Sequence, residues 1–509
     1  MKHKSAFNGV VILTLALIIV KVLSAIYRVP YQNILGDEGL YAYQQVYPIV
    51  ALGLILSMNA IPSAVTQNLG MDHCSEYYSK VLLIIQSVGL GICLIVFGCA
   101  GIISRIMGDG HLAPMIRMAS FSFVFVGVLG VLRGYFQSRQ DMNVPAISQV
   151  IEQLIRVGFI MVAIFLFLKQ QWTIYQAGSL SIIASSIGFL GSTLYLVSKR
   201  PFKLKWNAKV AKIQWTQLLI AILIFALSQL IVILWQVADS FTVIRTLKMT
   251  GLPFESAIKQ KGVYDRGASF IQMGLIVTTT FSFVLIPLLT EAIQNKQSIQ
   301  MNRYANASLK ITILISSAAG IGLINVLPLM NKVFFKTDSE TVTLCVYMLT
   351  VIGVSLIMMD IALLQVLNQI KPIVIGFIVG LLSKAIFNIV FIYQLHILGA
   401  SISTVLSLII FASILHHAVL KSYHFNQMSK FIIKLVGGLF IMSVIVQLMM
   451  TILPSSGRLI GLISLLISAI VGVSVFMIYV GIFNVLSYRE LKFLPLGDKL
   501  YHFKKGSRS

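Results

Sequence analysis

Long uninterrupted apolar stretches constrain this chain more than any other feature of its sequence. A bilayer core of about 30 Å is crossed by a helix of about 20 apolar residues. Fourteen segments meet that test: 8–30, 41–68, 80–104, 115–137, 145–168, 174–198, 215–239, 267–291, 308–328, 341–367, 372–393, 398–420, 431–453 and 458–486. Only 11% of the 509 residues are charged, against about 25% in ordinary globular domains. The stretches do not alternate polar with apolar, as the strands of a membrane barrel do. The expected fold class is therefore an all-α polytopic membrane protein with about fourteen transmembrane helices. The basic start Met1–Lys4 runs directly into the first apolar stretch, which reads as an uncleaved span rather than a leader.

The charge balance is lopsided, with 39 Lys and Arg against 16 Asp and Glu. Part of the excess is topological, because cytoplasmic loops collect cations. With both termini inside, the tails and even-numbered connections hold roughly twice as many cations as the odd-numbered ones, the sense that rule requires. Four cations, Lys21, Arg133, Arg156 and Lys384, fall inside spans. The four cysteines show no metal-ligand or C-x-x-C spacing. No nucleotide-binding or serine-nucleophile motif occurs, so neither ATP nor a catalytic cluster drives this protein. Neither a cofactor nor a metal nor nucleic acid is expected.

The spacing suggests an internal repeat. Ile61-Pro62 near the end of the second span recurs as Ile286-Pro287 in the eighth. Pro145 and Arg156 in the fifth recur as Pro372 and Lys384 in the eleventh, at offsets of 227 and 228 residues. Leu23-Ser24 and Leu227-Ser228 match at 204, which places about twenty extra residues in an outward connection over 240–266. The expected organisation is an N-lobe over 1–200, a cytoplasmic linker over 201–214, a C-lobe over 215–421, and a last helix pair with a basic tail over 422–509. Parallel repeats of this kind are a recurring construction for secondary transporters.

Ionisable groups within spans are costly and normally face a cavity or a partner. Lys21, Ser24, Ala25 and Arg28 share one face of the first span. Gln149, Glu152, Gln153 and Arg156 share one face of the fifth, where Glu152 and Arg156 are spaced to pair. Lys384 and Asn388 share a face of the eleventh. Asp239 shares one with Ser228, Trp235 and Gln236, and Asp360 lies in the tenth span. Cations outnumber acids here, which is the pattern of a cavity that receives an anion such as a phosphate or diphosphate. His416-His417 reads as packing or a helix contact rather than a metal site. The basic tail reads as a contact with anionic lipid headgroups. Pro62 and Pro287 remove backbone hydrogen bonds and could let their spans bend.

Four stretches carry a family resemblance. Gly39-Leu40-Tyr41-Ala42-Tyr43-Gln44-Gln45-Val46-Tyr47-Pro48-Ile49, ending at Ala60-Ile61-Pro62-Ser63-Ala64-Val65, resembles the second-span signature of polysaccharide-transporter proteins. That group includes the stage V sporulation protein B group and the MurJ-type lipid II flippases. Gly262-Val263-Tyr264-Asp265-Arg266-Gly267 is similar to the same group, as are the stretches around Leu132-Arg133-Gly134-Tyr135 and Gln149–Val157. The resemblance implies the multidrug/oligosaccharidyl-lipid/polysaccharide exporter (MATE/MurJ-like) fold, with two six-helix lobes around a cationic cavity and two further helices lining a groove for a polyprenyl tail. It implies that Arg28 and Arg266 hold a diphosphate. Lys21 stands where another basic residue would, with charge but without the bidentate fork. Arg156, Lys384 and Arg133 complete the expected cationic set. Asp239, Asp360, Glu152, Pro62 and Pro287 are the coupling or gating candidates, with Na+ or H+ as the ion.

The implied activity is a non-enzymatic flippase, expected to be monomeric, for an undecaprenyl-diphosphate-linked saccharide in the bacterial cytoplasmic membrane. The alternative is a cation-coupled multidrug antiporter of the same fold. A membrane enzyme would need an acidic catalytic loop, and none of the loops is long or acidic enough.

Overall fold

The computed structural model describes residues 19, 23, 27–69, 75–199, 201–202, 213–282, 285–454 and 457–491. Lys21, most of segment 8–30, most of the linker 201–214 and the basic tail lie outside these residues. Among the described residues every regular element is a helix. Those of the first part are α1 (Arg28–Ile55), α2 (Ile61–Leu69), α3 (Ser75–Ile106), α4 (Ala113–Ser120), α5 (Val126–Ser138), α6 (Asn143–Gln170), α7 (Ile174–Ser198) and α8 (Trp215–Met249). Next come α9 (Phe254–Ser282), α10 (Ile286–Gln294), α11 (Ser298–Phe335), α12 (Thr341–Met348), α13 (Thr350–Val366), α14 (Lys371–Leu395) and α15 (Ile397–Ser422). The chain closes with α16 (Met428–Ile452), α17 (Arg458–Ile482) and the single turn α18 (Tyr488–Leu491).

Twelve helices among the described residues are long and apolar enough to cross a membrane. The protein is a multi-pass membrane protein. Twelve of the fourteen expected segments have a counterpart, and the other two, 8–30 and 267–291, run into residues outside those described. Large apolar side chains such as Leu94, Ile433 and Phe440 are exposed, as lipid-facing surfaces require. One expectation is corrected. The stretch 240–266 is not a long connection: α8 runs on to Met249, α9 starts at Phe254, and only four residues link them. Helical hydrogen bonding continues past the point where the sequence turns polar.

The chain divides into two compact units, Met1–Asp265 and Arg266–Ser509, with the division inside α9. In the first unit, α6 and α7 form the most extensive helix pair. Gly188 lies so close to the Glu152 carbonyl that a Cβ there would sit 2.5 Å from it. Gly127, Gly130 and Gly134 give α5 the same close approach to Gln86, Ile61 and Val65, the packing that drives helix association where there is no hydrophobic effect. Ile61, Val65, Leu129, Leu132 and Phe189 lie in the buried cluster these contacts enclose.

The first described helix is interrupted twice. Gly36 has φ +75° and ψ −176°, a conformation that suits glycine alone. Gln32 Nε2 donates to Asp37 Oδ1 across the break (2.9 Å). Further on, a π-helical turn, Leu56–Ala60, precedes Pro62. It absorbs the irregularity that a mid-helix proline imposes. Thr66 Oγ1 donates to the Pro62 carbonyl (2.8 Å), and Thr290 Oγ1 to that of Ile286 (2.9 Å). Pro287 sits in the first turn of α10, where a missing N–H costs nothing.

In the second unit, α14 and α15 form the most extensive pair, and α16 and α17 pack on each other and on α11. Polar contacts fix that attachment. Asn325 donates to Ser443 (2.9 Å) and accepts from Gln447 (3.0 Å). Arg458 donates to the carbonyls of Val333 and Phe334 at the C-terminal end of α11, both at 3.0 Å. Glu490 pairs with Lys310 at 3.1 Å.

Candidate functional site

Two guanidiniums in the first unit are buried among tyrosines. Arg28 opens α1, preceded by Tyr27, and is 3% exposed. Its Cζ lies 5.6 Å from the centroid of the Tyr47 ring. Arg156, on α6, is 1% exposed. Its Nη2 donates to the hydroxyls of Tyr43 (3.0 Å) and Tyr27 (3.1 Å). Its Cζ lies 5.2 Å from the Tyr47 centroid and 5.7 Å from that of Tyr27. The hydroxyls of Tyr27 and Tyr43 are 2.9 Å apart, and Tyr43 stacks on Tyr47 with centroids 5.7 Å apart. Tyr31 tilts against Tyr43 at 5.3 Å.

The break at Gly36 makes this cluster possible. It brings Tyr27, Arg28 and Tyr31, which precede it, against Tyr43 and Tyr47, which follow it. Two tyrosine pairs at i, i+4 therefore meet instead of continuing along one helix.

The cluster is under-satisfied. Among the described residues, Arg28 Nε and Arg156 Nε are buried and have no hydrogen-bond partner. Among the described residues, neither Arg28 nor Arg156 has a carboxylate within 4.0 Å. Aromatic faces attract a cation but do not neutralise it. Two buried guanidiniums that no described carboxylate contacts carry a desolvation cost of several kcal/mol, which a bound anion would offset. Arginine's planar fork matches a phosphate or carboxylate.

The remaining sequence candidates fall elsewhere. Arg133 is wholly buried and clamps helices. It donates to Glu152 Oε2 (2.7 Å), Ser192 Oγ (2.9 Å), Ser148 Oγ (3.0 Å) and the Ser57 carbonyl (3.2 Å). The pairing expected between Glu152 and Arg156 is thereby corrected. Glu152 reaches from α6 to Arg133 on α5, and Arg156, one turn further on, turns to the tyrosines.

Asp239 accepts from the Tyr264 hydroxyl (3.0 Å). Lys261 and Asp265 form an ion pair within α9. Gly262 between them lies against Asp37, where a Cβ would fall 2.0 Å from the Asp37 carbonyl oxygen. In the second unit Arg266 is buried well inside α9 rather than at a helix start. It donates to Asn331 Oδ1 (3.3 Å) and lies 5.5 Å from the Phe335 centroid. Asp360 is wholly buried, with His416 Nδ1 3.4 Å from its carboxylate. The sequence pointed to packing or a helix contact for His416, and the contact it makes is with Asp360, a partner that spacing alone did not indicate. Lys384 donates to Asn388, Ala400 and Thr404. Among the described residues no group of His, Cys, Asp and Glu could hold a metal ion.

The tyrosines escaped the sequence reading. Their signal was the spacing Tyr27/Tyr31 and Tyr43/Tyr47 on either side of Gly36.

Comparison with known proteins is consistent along the whole chain. The chain is 28% identical over 521 residues to the uncharacterized membrane protein YabM of Bacillus subtilis (strain 168), covering 99% of this chain and 97% of that one. It is 24% identical to the lipid II flippase MurJ of the same organism, over 92% of this chain and 94% of that one. It is 25% identical to that organism's stage V sporulation protein B, over 58% and 60%. Among solved structures, an inward closed lipid II flippase MurJ superposes with TM-score 0.71 at 17% identity, covering 94% of this chain and 99% of that one. An inward-facing multidrug resistance MATE family transporter of the MOP superfamily gives 0.63 at 14% identity, over 81% and 98%. The fold is thus the MATE/MurJ-like one. Residues 6–293, more than half of the chain, match the polysaccharide biosynthesis protein family, and the chain belongs to it.

Proposed function

We propose that this protein is a flippase that moves a polyprenyl-diphosphate-linked saccharide across the bacterial cytoplasmic membrane by alternating access, with both termini in the cytoplasm. The observation that carries this reading is the pair of buried guanidiniums, Arg28 and Arg156, flanked by phenol hydroxyls and, among the described residues, with no carboxylate within 4.0 Å. A diphosphate would compensate both charges and accept from the open Nε groups. The tyrosine faces suit the apolar faces of sugar rings, and their hydroxyls suit a polar headgroup. Arg266 is the corresponding candidate in the second unit. The polyprenyl tail would stay in lipid against the exposed apolar side chains of α16 and α17, such as Ile433 and Phe440. Relatives named as a lipid II flippase and a sporulation protein support this class of substrate. Asp239 and Asp360 are the coupling candidates, for H+ or Na+.

Asp360 also supports a second reading. Multidrug antiporters on this fold would use buried acids to bind cations, and a wholly buried carboxylate is available here.

One experiment separates the two. Purified protein is reconstituted in liposomes with a labelled undecaprenyl-diphosphate saccharide in the inner leaflet, and its arrival outside is followed with an impermeant lectin or enzyme. Wild type should translocate it, and Arg28→Ala and Arg156→Ala should each slow it at least tenfold. Equal rates in all three sink the anion-site reading. Export of a cationic dye that depends on Asp360, with no lipid translocation, establishes the antiporter.

A further inference from the structure

We infer that the second unit carries its own monovalent cation, the ammonium of Lys384, seated in an oxygen cage that would otherwise take up Na+. Lys384 lies on α14 and is wholly buried. Its Nζ donates to Thr404 Oγ1 (2.7 Å), Asn388 Oδ1 (3.0 Å) and the Ala400 carbonyl (3.2 Å). Each of the three ammonium protons thus has an oxygen. The three oxygens are an amide, a main-chain carbonyl and a hydroxyl. All are uncharged and hard, the class of donor that hard cations favour.

The cage is built in advance of any ligand. Asn388 lies one turn beyond Lys384, and Ala400 and Thr404 lie one turn apart on α15. The Thr404 hydroxyl donates to the Ala400 carbonyl (2.8 Å), which aims its lone pairs at the ammonium. Ser403 Oγ donates to the Lys384 carbonyl (3.2 Å), and Ser401 Oγ to that of Thr343 (2.8 Å). These bonds fix both helices around the site.

The repeat spacing sharpens the point. Arg156 and Lys384 stand 228 residues apart at corresponding places, each on the first helix of its unit's most extensive pair. Among the described residues Arg156 Nε has no hydrogen-bond partner, whereas the Lys384 ammonium has an oxygen for every proton. One cation of the repeat is left open to a ligand, and the other is itself the ligand of a cage. A tethered cation neither dissociates nor responds to a sodium gradient, so this place contributes no sodium coupling to the cycle.

The inference is independent of what the protein transports, and its test contains no transport substrate. Purified full-length protein in nanodiscs is unfolded thermally in NaCl, KCl and choline chloride, and 22Na+ binding is counted. The set is wild type, Lys384→Asn, Lys384→Met and Thr404→Val. Lys384→Asn vacates the cage and adds an oxygen. It should bind one more Na+ than wild type and rise by about 3 °C in NaCl over choline, as a ligand well above its Kd produces. Lys384→Met should show a weaker gain of the same sign. Thr404→Val should lower the melting temperature equally in all three salts. A monodisperse Lys384→Asn that gains no Na+ over wild type overturns the inference. If the Lys384 variants do not fold, Thr404→Val decides alone: loss of a wild-type Na+ response in it refutes the tethered cation, and equal loss in every salt upholds it.

Discussion

Replacing Arg133 separates a structural cation from a substrate-binding one. Its side chain makes four hydrogen bonds to groups on three other segments: the π turn at Ser57, α6 at Ser148 and Glu152, and α7 at Ser192. Arg133→Met removes all four and strands the Glu152 carboxylate, whose side chain is 2% exposed. Breaking one side of a buried pair costs about 3–5 kcal/mol. Glu152→Leu alone strands the guanidinium and falls in the same range. The double variant removes both charges, so its loss should be smaller than the sum, with a coupling of about 1–3 kcal/mol in the double-mutant cycle. The assay is equilibrium unfolding in one detergent, followed by tryptophan fluorescence, with translocation measured on the fraction that remains folded. The expected pattern is a large stability loss for each single variant, a partial recovery in the double, and translocation per folded molecule close to wild type. Stability unchanged with translocation abolished would refute the clamp and return Arg133 to the substrate site.

Other consequences follow from particular contacts. Gly262→Ala drives a methyl into the Asp37 carbonyl and should destabilise by about 1–3 kcal/mol; an unchanged melting temperature would show that α9 does not approach the Gly36 break so closely. Gly36→Ala places a side chain at φ +75° and should cost about 1 kcal/mol or more, measurable in the same melts. Tyr43→Phe removes one acceptor from Arg156 while keeping the stacked ring, so stability should shift by about 1 kcal/mol and translocation should fall more than the melting temperature. Asn325→Leu cuts the contacts to Ser443 and Gln447, each worth about 0.6 kcal/mol between membrane helices. It should loosen α16 and α17 and raise protease access near Gly457.

The fold was largely legible because long apolar runs report where a chain meets lipid. They do not report where a helix ends. The stretch 240–266 therefore read as a loop, although α8 and α9 carry their hydrogen bonding into it. Side-chain pairing was less legible. Glu152 and Arg156 have the spacing of a helical pair, but a partner on a neighbouring helix, Arg133, took the carboxylate, and sequence spacing carries no information about that. The proposed anion site was half legible. Its cations stood out as charges in an apolar chain, whereas tyrosines near span ends are commonplace at membrane interfaces. What marked them was a glycine whose positive φ folds the two pairs together. Asp360 and His416 were each visible and gave no sign of being neighbours, being 56 residues apart on different helices.

The central claim is that Arg28 and Arg156 form a site for a lipid-linked diphosphate. The most direct measurement is native mass spectrometry of the detergent-solubilised protein titrated with undecaprenyl diphosphate, undecaprenyl monophosphate and undecaprenol. Wild type should bind the diphosphate at least tenfold more tightly than the alcohol. Arg28→Gln/Arg156→Gln should lose that preference while binding the alcohol as before. Retention of the full diphosphate preference in the double variant, correctly folded, would contradict it.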